Sequence, residues 1–195
     1  MSLLYVLKWI FNLILALDIS TSITGFCIFN NYDNICIGHI DLRKEKDFFK
    51  KIDLVKTKIK ELYAKYKFEH VAIEEAFQSF GRGLSSAKTL FTLAKFNGTI
   101  QYIVHCMGLK ATVINVNNAR KLVGIKINKR NKEKNTKQQV LEQVQVLDSK
   151  IIWPRRTLKS GPRKGLEIFD DCCFDMADAF VIGKAYLLEN KEKTK

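Results

Sequence analysis

The feature that most constrains this chain is the run Leu13-Ile14-Leu15-Ala16-Leu17, apolar without interruption, which stops at Asp18 and passes into Ile19-Ser20-Thr21-Ser22-Ile23-Thr24-Gly25. An apolar run of strand length offers no polar face to water, so it predicts a central strand covered on both sides. Gly25 is expected to let the chain turn back into a second strand. Asp18 then stands at the exit of a buried strand, where desolvation opposes its charge and a bound cation or a helix N-terminus is the natural compensation. The plainer alternative is that Asp18 caps the turn through Ser20 or Thr21. What decides between the two is whether other carboxylates converge on the same place.

Residues 24–30 and 34–41 read as two strands around the turn Asn30-Asn31-Tyr32-Asp33, forming an antiparallel meander with the first. Between residues 46 and 66, Phe49, Ile52, Val55, Ile59, Leu62 and Tyr66 recur at helical spacing, with lysines on the other face. The next strand, His70-Val71-Ala72-Ile73-Glu74, also finishes on a carboxylate. A crossover helix between the two lays that strand parallel to the first and beside it, so Glu74 is expected next to Asp18. Residues 76–84 form a glycine-rich loop, and Ser85 or Ser86 is read as the cap of a helix through Met107. Gly98 inside that helix costs stability relative to Ala, which marks a close helix contact there, with a second subunit as one possible partner. Residues 111–116 are a further short strand, and Asn117 is read as the cap of a helix over 118–123 that Gly124 ends. Thr136 is read as the cap of a helix to about Leu147, and a last helix runs from near Asp170-Asp171, its capping acids, to near Glu189. The fold class is therefore α/β: a central mixed sheet of about five strands, the first three an antiparallel meander and the rest parallel, flanked by helices.

A chain of 195 residues with two prolines and ten glycines leaves little room for a linker, and residues 13–189 read as one domain. Before it lies a hydrophobic extension, residues 1–12, and after it a basic tail, residues 190–195. The extension resembles a signal segment in hydropathy, but no small-residue cleavage site precedes Asp18 and membrane insertion would pull the first strand out of the sheet. It is expected to pack on the domain or on a partner subunit, or to be an upstream start that adds little. The formal net charge of +13 points to a polyanion, nucleic acid ahead of an anionic membrane, because the basic residues cluster in two segments, 126–134 and 150–164. Five cysteines, an odd number with no C-x-x-C pair, fit a reducing compartment such as the cytoplasm. His39, His70 and His105 lack ligand spacing, which argues against zinc.

The last helix carries Asp175-Met176-Ala177-Asp178-Ala179. Positions i and i+3 share a face, so Asp175 and Asp178 project together from an otherwise apolar helix and repel each other unless a cation or water intervenes. With Asp18 and Glu74 they make a set of acidic groups able to meet at one sheet edge. Oxygen-only ligands suit Mg²⁺ or Mn²⁺. Two such ions roughly 3.5–4 Å apart activate water and stabilise the leaving oxygen of a phosphodiester. A basic protein so equipped is expected to be a nuclease, provided that Asp18 and Glu74 point to the same side of the sheet and the last helix docks there.

Asp18 in its Leu-Asp-Ile-Ser-Thr-Ser-Ile-Thr-Gly setting, Val71-Ala72-Ile73-Glu74-Glu75-Ala76-Phe77 and Asp175-Met176-Ala177-Asp178-Ala179 together resemble the RuvC-type Holliday junction resolvases of the RNase H-like superfamily. The resemblance covers roughly residues 13–188. It implies a homodimer that places paired symmetric nicks at a four-way DNA junction, with two Mg²⁺ ions per site, Mn²⁺ as a substitute, no small-molecule cofactor and no membrane. On that resemblance Asp18, Glu74, Asp175 and Asp178 are the metal-binding catalytic set. Phe77 falls where the family has an aromatic that inserts at the junction, with a core aromatic as the alternative. Lys137 matches a family lysine that opens a helix, and Arg120 or Lys121 lies near another basic position. Arg82 in the glycine-rich loop and Arg155-Arg156 in the second basic segment complete the expected DNA-binding set. That segment and the hydrophobic N-terminus have no place in the bacterial pattern, which points to a divergent phage or viral member.

Other readings share parts of this pattern. Asp18 to Gly25 also resembles the first phosphate motif of the actin-like sugar kinases and chaperone ATPases, but the second glycine-rich phosphate loop and the two-lobed length are not found. A module that clamps branched DNA without cutting it would have to place these carboxylates against phosphates with no metal between. An RNase H-like nuclease with another substrate would use the same acids.

Overall fold

A computed structural model describes residues 13–31, 33–76 and 87–192. At its centre lies β1 (Leu13–Asp18), whose Ile14, Leu15, Ala16 and Leu17 are at most 1% exposed. β2 (Ile23–Asn30) and β3 (Asp33–Asp41) follow as an antiparallel meander on one side of it. On the other side β4 (His70–Glu74) runs parallel to β1, and β5 (Lys110–Ile114) runs parallel to β4. The five strands lie in the order β3-β2-β1-β4-β5, the mixed sheet that the sequence predicts.

Side chains alternate across a strand, and that alternation divides the core in two. Leu15 and Leu17 of β1 and Val71 and Ile73 of β4 face α1 (Phe48–Tyr66) and α2 (Ala87–Cys106). Ile14, Ala16 and Ala72 face the other way, onto α5 (Cys172–Glu192), with α3 (Val116–Val123) and α4 (Thr136–Leu147) packed outside it. By the same parity Asp18 and Glu74 follow Ala16 and Ala72 onto the α5 side. Both conditions set by the sequence reading are thus met in the backbone itself.

Several local expectations differ from the structure. Asn115, not Asn117, caps α3: its Oδ1 accepts from the backbone N–H of Asn117 at 3.0 Å and of Asn118 at 3.3 Å, worth about 1 kcal/mol, and Val116, read as strand, is the first helical residue. Asn135, not Thr136, caps α4, in a reciprocal box where Asn135 Oδ1 accepts from Gln138 N and Gln138 Oε1 accepts from Asn135 N. α5 starts at Cys172, where expected, with Asp170 Oδ1 accepting from Cys172 N at 3.2 Å, but it continues past Glu189 to Glu192. The segment read as a basic loop contains a two-stranded ribbon, β6 (Arg155–Thr157) against β7 (Glu167–Phe169). Among the described residues a Cβ on Gly98 would meet nothing within 4 Å, so the close contact expected there is not made by them. The N-terminal extension, the loop carrying Phe77 and Arg82, Ser85 and Ser86, and the tail from residue 193 lie outside the described residues. All five cysteines are free, and no described helix is long and apolar enough to cross a membrane.

Candidate active site

Gly25 has a different task from the turn expected of it. It lies inside β2, directly across from Asp18, and a Cβ there would overlap the carbonyl of Asp175 and come within 2.8 Å of Met176 N. Only a glycine lets the α5 backbone rest on the sheet at this point, which brings Asp175 over the end of β1. The turn between β1 and β2 is instead closed by hydroxyls. Ser20 Oγ accepts from Ser22 N and Ile23 N and donates to Ile23 O, while the buried Thr24 Oγ1 donates to Ser20 O. The turn is therefore held without the Asp18 carboxyl, and that carboxyl shares a hydrogen bond with Glu74. On the far side, buried Asn97 of α2 donates through Nδ2 to Glu74 O at 2.9 Å and fixes the end of β4.

Asp18, Glu74, Asp175 and Asp178 line one cavity of about 600 Å³, together with Arg120 of α3 and Lys137 of α4. Asp18 and Glu74 keep part of their surface open to it, whereas Asp175 and Asp178 are only 9% and 4% exposed. Arg120 Nη2 donates to Asp178 Oδ1 at 2.9 Å, and Lys137 Nζ donates to Asp175 Oδ1 at 3.1 Å. Burial, then the charges of Glu74, Asp178 and Asp175, hold the Asp18 carboxyl well above the usual carboxylate range. Glu74 moves the same way, through burial and then Asp178, with its bond to Asp18, Arg120 and Lys137 pulling back. Burial also raises Asp175 against the opposing pull of Lys137. Burial would lower the Lys137 ammonium, but Asp175, with Asp18 and Asp178, acts against it and the net shift is upward. As the side chains stand, no group of three or more His, Cys, Asp or Glu among the described residues is arranged to hold a metal ion. Two of the carboxylates are held by cations, and the other two hold each other.

Of the remaining expected residues, Lys121 is exposed and does not line this cavity, although its neighbour Arg120 does. Arg155 pairs with Glu167 at 3.4 Å and Arg156 with Asp171 at 3.1 Å, on the ribbon rather than in the cavity. Glu75 also lines the cavity and accepts from Asn115 Nδ2 at 2.9 Å. Neither Glu75 nor Asn97 was singled out from sequence. Glu75 had a signal, as a second acid at the exit of β4, while Asn97 sits inside an apolar helical repeat with nothing local to mark it.

No protein-family model matches the sequence, and no curated protein sequence matches it. Solved structures do match. RuvC of T. thermophilus in complex with a Holliday junction substrate superposes with a TM-score of 0.63 at 13% identity, covering 93% of this chain and 96% of that one. A second structure of Thermus thermophilus RuvC gives 0.59 at 16% identity, with 93% and 97% covered. The yeast mitochondrial Holliday junction resolvase gives 0.56 at 11% identity, with 93% and 80% covered. The fold is RNase H-like. It matches these resolvases over nearly the whole of the chain, and at such identities the likeness is one of fold.

Proposed function

We propose that this protein is a Mg²⁺-dependent, structure-selective endodeoxyribonuclease that resolves four-way DNA junctions by paired symmetric nicks. The observation that carries the reading is the meeting of four carboxylates, from β1, β4 and α5, in one cavity that also holds Arg120 and Lys137. The donor set is all oxygen, which suits Mg²⁺ or Mn²⁺. These four acids outnumber the two cations beside them, and burial first, then the neighbouring carboxylates, raise Asp18 and Glu74. Divalent cations would relieve that excess as protons do.

In this reading Asp18, Glu74, Asp175 and Asp178 hold two ions, which when bound supply neutralisation of the charge that develops on a phosphodiester. Arg120 and Lys137, freed from Asp178 and Asp175, become donors to phosphate oxygens, Arg120 with a planar fork and Lys137 as a point charge. Asn97 and Gly25 keep the acids in place without touching the substrate. Arg82, Lys121, Arg155, Arg156 and the aromatic Phe77 belong to the same proposal as DNA contacts. Two matched incisions are most simply made by a twofold pair. Phe91 and Tyr102, 62% and 66% exposed, share the α2 face with the open Gly98 and supply an apolar surface for such a pairing. The free cysteines agree with a reducing compartment, the cytoplasm of a cell or of a phage's host.

The test is to incubate the protein with a synthetic four-way junction, a duplex and an RNA–DNA hybrid, with and without Mg²⁺. Paired nicks confined to the junction and dependent on the metal are expected. Asp18→Asn and Glu74→Gln are expected to abolish nicking while junction binding persists, because the basic surface remains. Preferential digestion of the hybrid would replace this reading with a ribonuclease, and tight junction binding with no cutting in Mg²⁺ or Mn²⁺ would replace it with a binding module.

A further inference from the structure

The β6–β7 ribbon contributes no residue to the lining of the cavity. Its strands are pinned from several directions. Arg155 lies over the Phe169 ring at 4.6 Å and pairs with Glu167 across the ribbon, and Arg156 reaches Asp171 at the start of α5. Asp170 N donates to Pro154 O at 3.0 Å, and Leu158 N to Leu166 O at 3.0 Å, which carries the pairing beyond the strands. At the tip, Gly161 and Gly165 adopt φ of +81° and +88°, so the chain reverses tightly, with Lys164 N bonded to Gly161 O at 3.0 Å. A tight, braced hairpin is a poor way to build a linker and a good way to hold charges out from a surface.

The charges it holds out are cationic. Residues 155–169 contain five Lys or Arg and a single Glu, and so do residues 126–134. Within the ribbon the two strand arginines are spent on the contacts just described. Lys159, Arg163 and Lys164 at the tip are exposed, and their side chains make no hydrogen bond or ion pair among the described residues. The same holds for Lys129, Arg130 and Lys132 in the other segment. The two segments flank one groove, lined by Arg163 and Phe169 from the ribbon and by Lys134, Asn135 and Gln138 from the entrance to α4. Between Thr136 and Gln138 sits Lys137, whose ammonium is on Asp175 in the carboxylate cavity. The groove and the cavity therefore lie side by side across the first turn of α4, and Arg163, one of the unspent cations, lines the groove beside the acids Glu133, Glu142, Glu167 and Asp171.

We propose that the tip of the β6–β7 hairpin, Lys159, Arg163 and Lys164, together with Lys129, Arg130 and Lys132, grips the phosphate backbone of a duplex arm that leads away from the cleavage cavity. The proposal rests on the nuclease reading above and adds the arm as a second region of contact. Lysines and arginines with no base-reading geometry around them bind backbone without regard to sequence. Arg155 and Arg156, named above among the DNA contacts, are held by Phe169, Glu167 and Asp171 and serve the grip first by keeping the ribbon stiff.

The experiment measures binding without Mg²⁺, by anisotropy, for wild type and for the triple variant Lys159→Gln, Arg163→Gln, Lys164→Gln, on junctions with short and with long arms across a salt series. Wild type is expected to bind long arms more tightly than short ones. The variant is expected to lose that preference, with its log–log salt slope shallower by roughly two to three units, about 0.9 for each phosphate contact removed. Because the tip residues are exposed and unpaired, its thermal midpoint is expected to match wild type. A variant that keeps the wild-type slope and arm-length preference, on a protein that still cuts junctions, would overturn the hairpin contact and leave the nuclease reading intact. A wild-type protein that binds neither junction nor duplex would overturn both. Capture by phosphatidylserine vesicles that the variant loses, with DNA binding unchanged, would assign the tip to a membrane surface and overturn the arm.

Discussion

α1 and α5 are helices of similar length, 19 and 21 residues, that cover opposite faces of one sheet by different means. α1 buries a single stripe, Ile52, Val55, Ile59 and Leu62, and meets the strands through full-sized side chains. α5 is buried nearly all round along its first half, between the sheet and the helices outside it, and it meets the sheet through glycines. Gly25 underlies Asp175, and Gly183, further along α5, lets Phe29 and Ala16 approach so closely that a Cβ there would lie 2.9 Å from Ala16 Cβ. The α1 layer is a hydrophobic lid, stabilised by removing apolar area from water. The α5 layer brings backbone and carboxylates onto the sheet together. Burying Asp175 and Asp178 beside Asp18 opposes folding even with Lys137 and Arg120 as partners, since taking an ion out of water costs several kcal/mol even after relaxation. A face organised this way needs a compensation for its buried charge, whereas the opposite face is mostly apolar packing with Asn97 as its buried polar group.

The sharpest way to break this contrast is Gly25→Ala. The atoms that an added Cβ would meet are backbone of α5, not the flexible end of a side chain, so the helix itself must shift. A destabilisation of about 3 kcal/mol is expected, the upper part of the range for overpacked cores, with nicking lost and junction binding kept. Chemical denaturation and a nicking assay on the same preparation measure both. If Gly25→Ala is as stable and as active as wild type, α5 is not seated on β2 in the way described and the cavity loses its organising contact.

A smaller effect comes from charge. Asp18 and Glu74 have carboxyl groups raised in the folded protein, Glu74 from 4.5 to about 7. Over that interval the native state binds more protons than the unfolded chain, so the slope of stability against pH is negative. The contribution is fully present below the unfolded value and is lost as pH rises through the folded one. Metal-free protein is therefore expected to lose stability between pH 5 and pH 8 through this pair. Saturating Mg²⁺ should restore it at pH 8 and do little at pH 5, where protons hold the acids. For a chain of 195 residues each kcal/mol moves the melting temperature by roughly 2–4 °C, which scanning calorimetry reads easily. Asp18→Asn should flatten the pH profile, raise metal-free stability at pH 8 and remove the response to Mg²⁺. A profile that rises toward pH 8 without metal would mean that the acids are already compensated by Arg120 and Lys137.

How much of this was legible beforehand follows the same division. The meander, the crossover between β1 and β4 and the i, i+3 spacing of Asp175 and Asp178 are local, and they carry the sheet order and the expectation that the acids meet, whereas the side to which Asp18 and Glu74 point depends on the strand register and the docking of α5. The role of Gly25 was not legible, because the backbone that excludes a Cβ there belongs to a helix far along the chain. The caps were misassigned by one or two residues where asparagines crowd together: Asn115, Asn117 and Asn118 are all competent, and only the buried position of Val116 chooses among them. β6 and β7 are three residues each, with exposed charges, and give no alternation to read.

Gly98→Ala refines the comparison on the other helical layer with the smallest effect. Gly98 lies on the exposed face of α2, and nothing among the described residues opposes a methyl group there. In an isolated chain the substitution should stabilise the helix by roughly 0.5–1 kcal/mol, the opposite sign from Gly25→Ala. If that face pairs with a second copy, the same methyl separates two helices that a glycine lets touch, and the dimer weakens while the monomer gains. Unfolding followed at two protein concentrations resolves the two terms: a gain at both concentrations assigns the glycine to no interface, and a gain on dilution that turns to a loss at high concentration locates the subunit contact on α2. Sedimentation of the wild type and the variant then checks the direction, since only the second outcome predicts that Ala at this position shifts the protein toward the monomer.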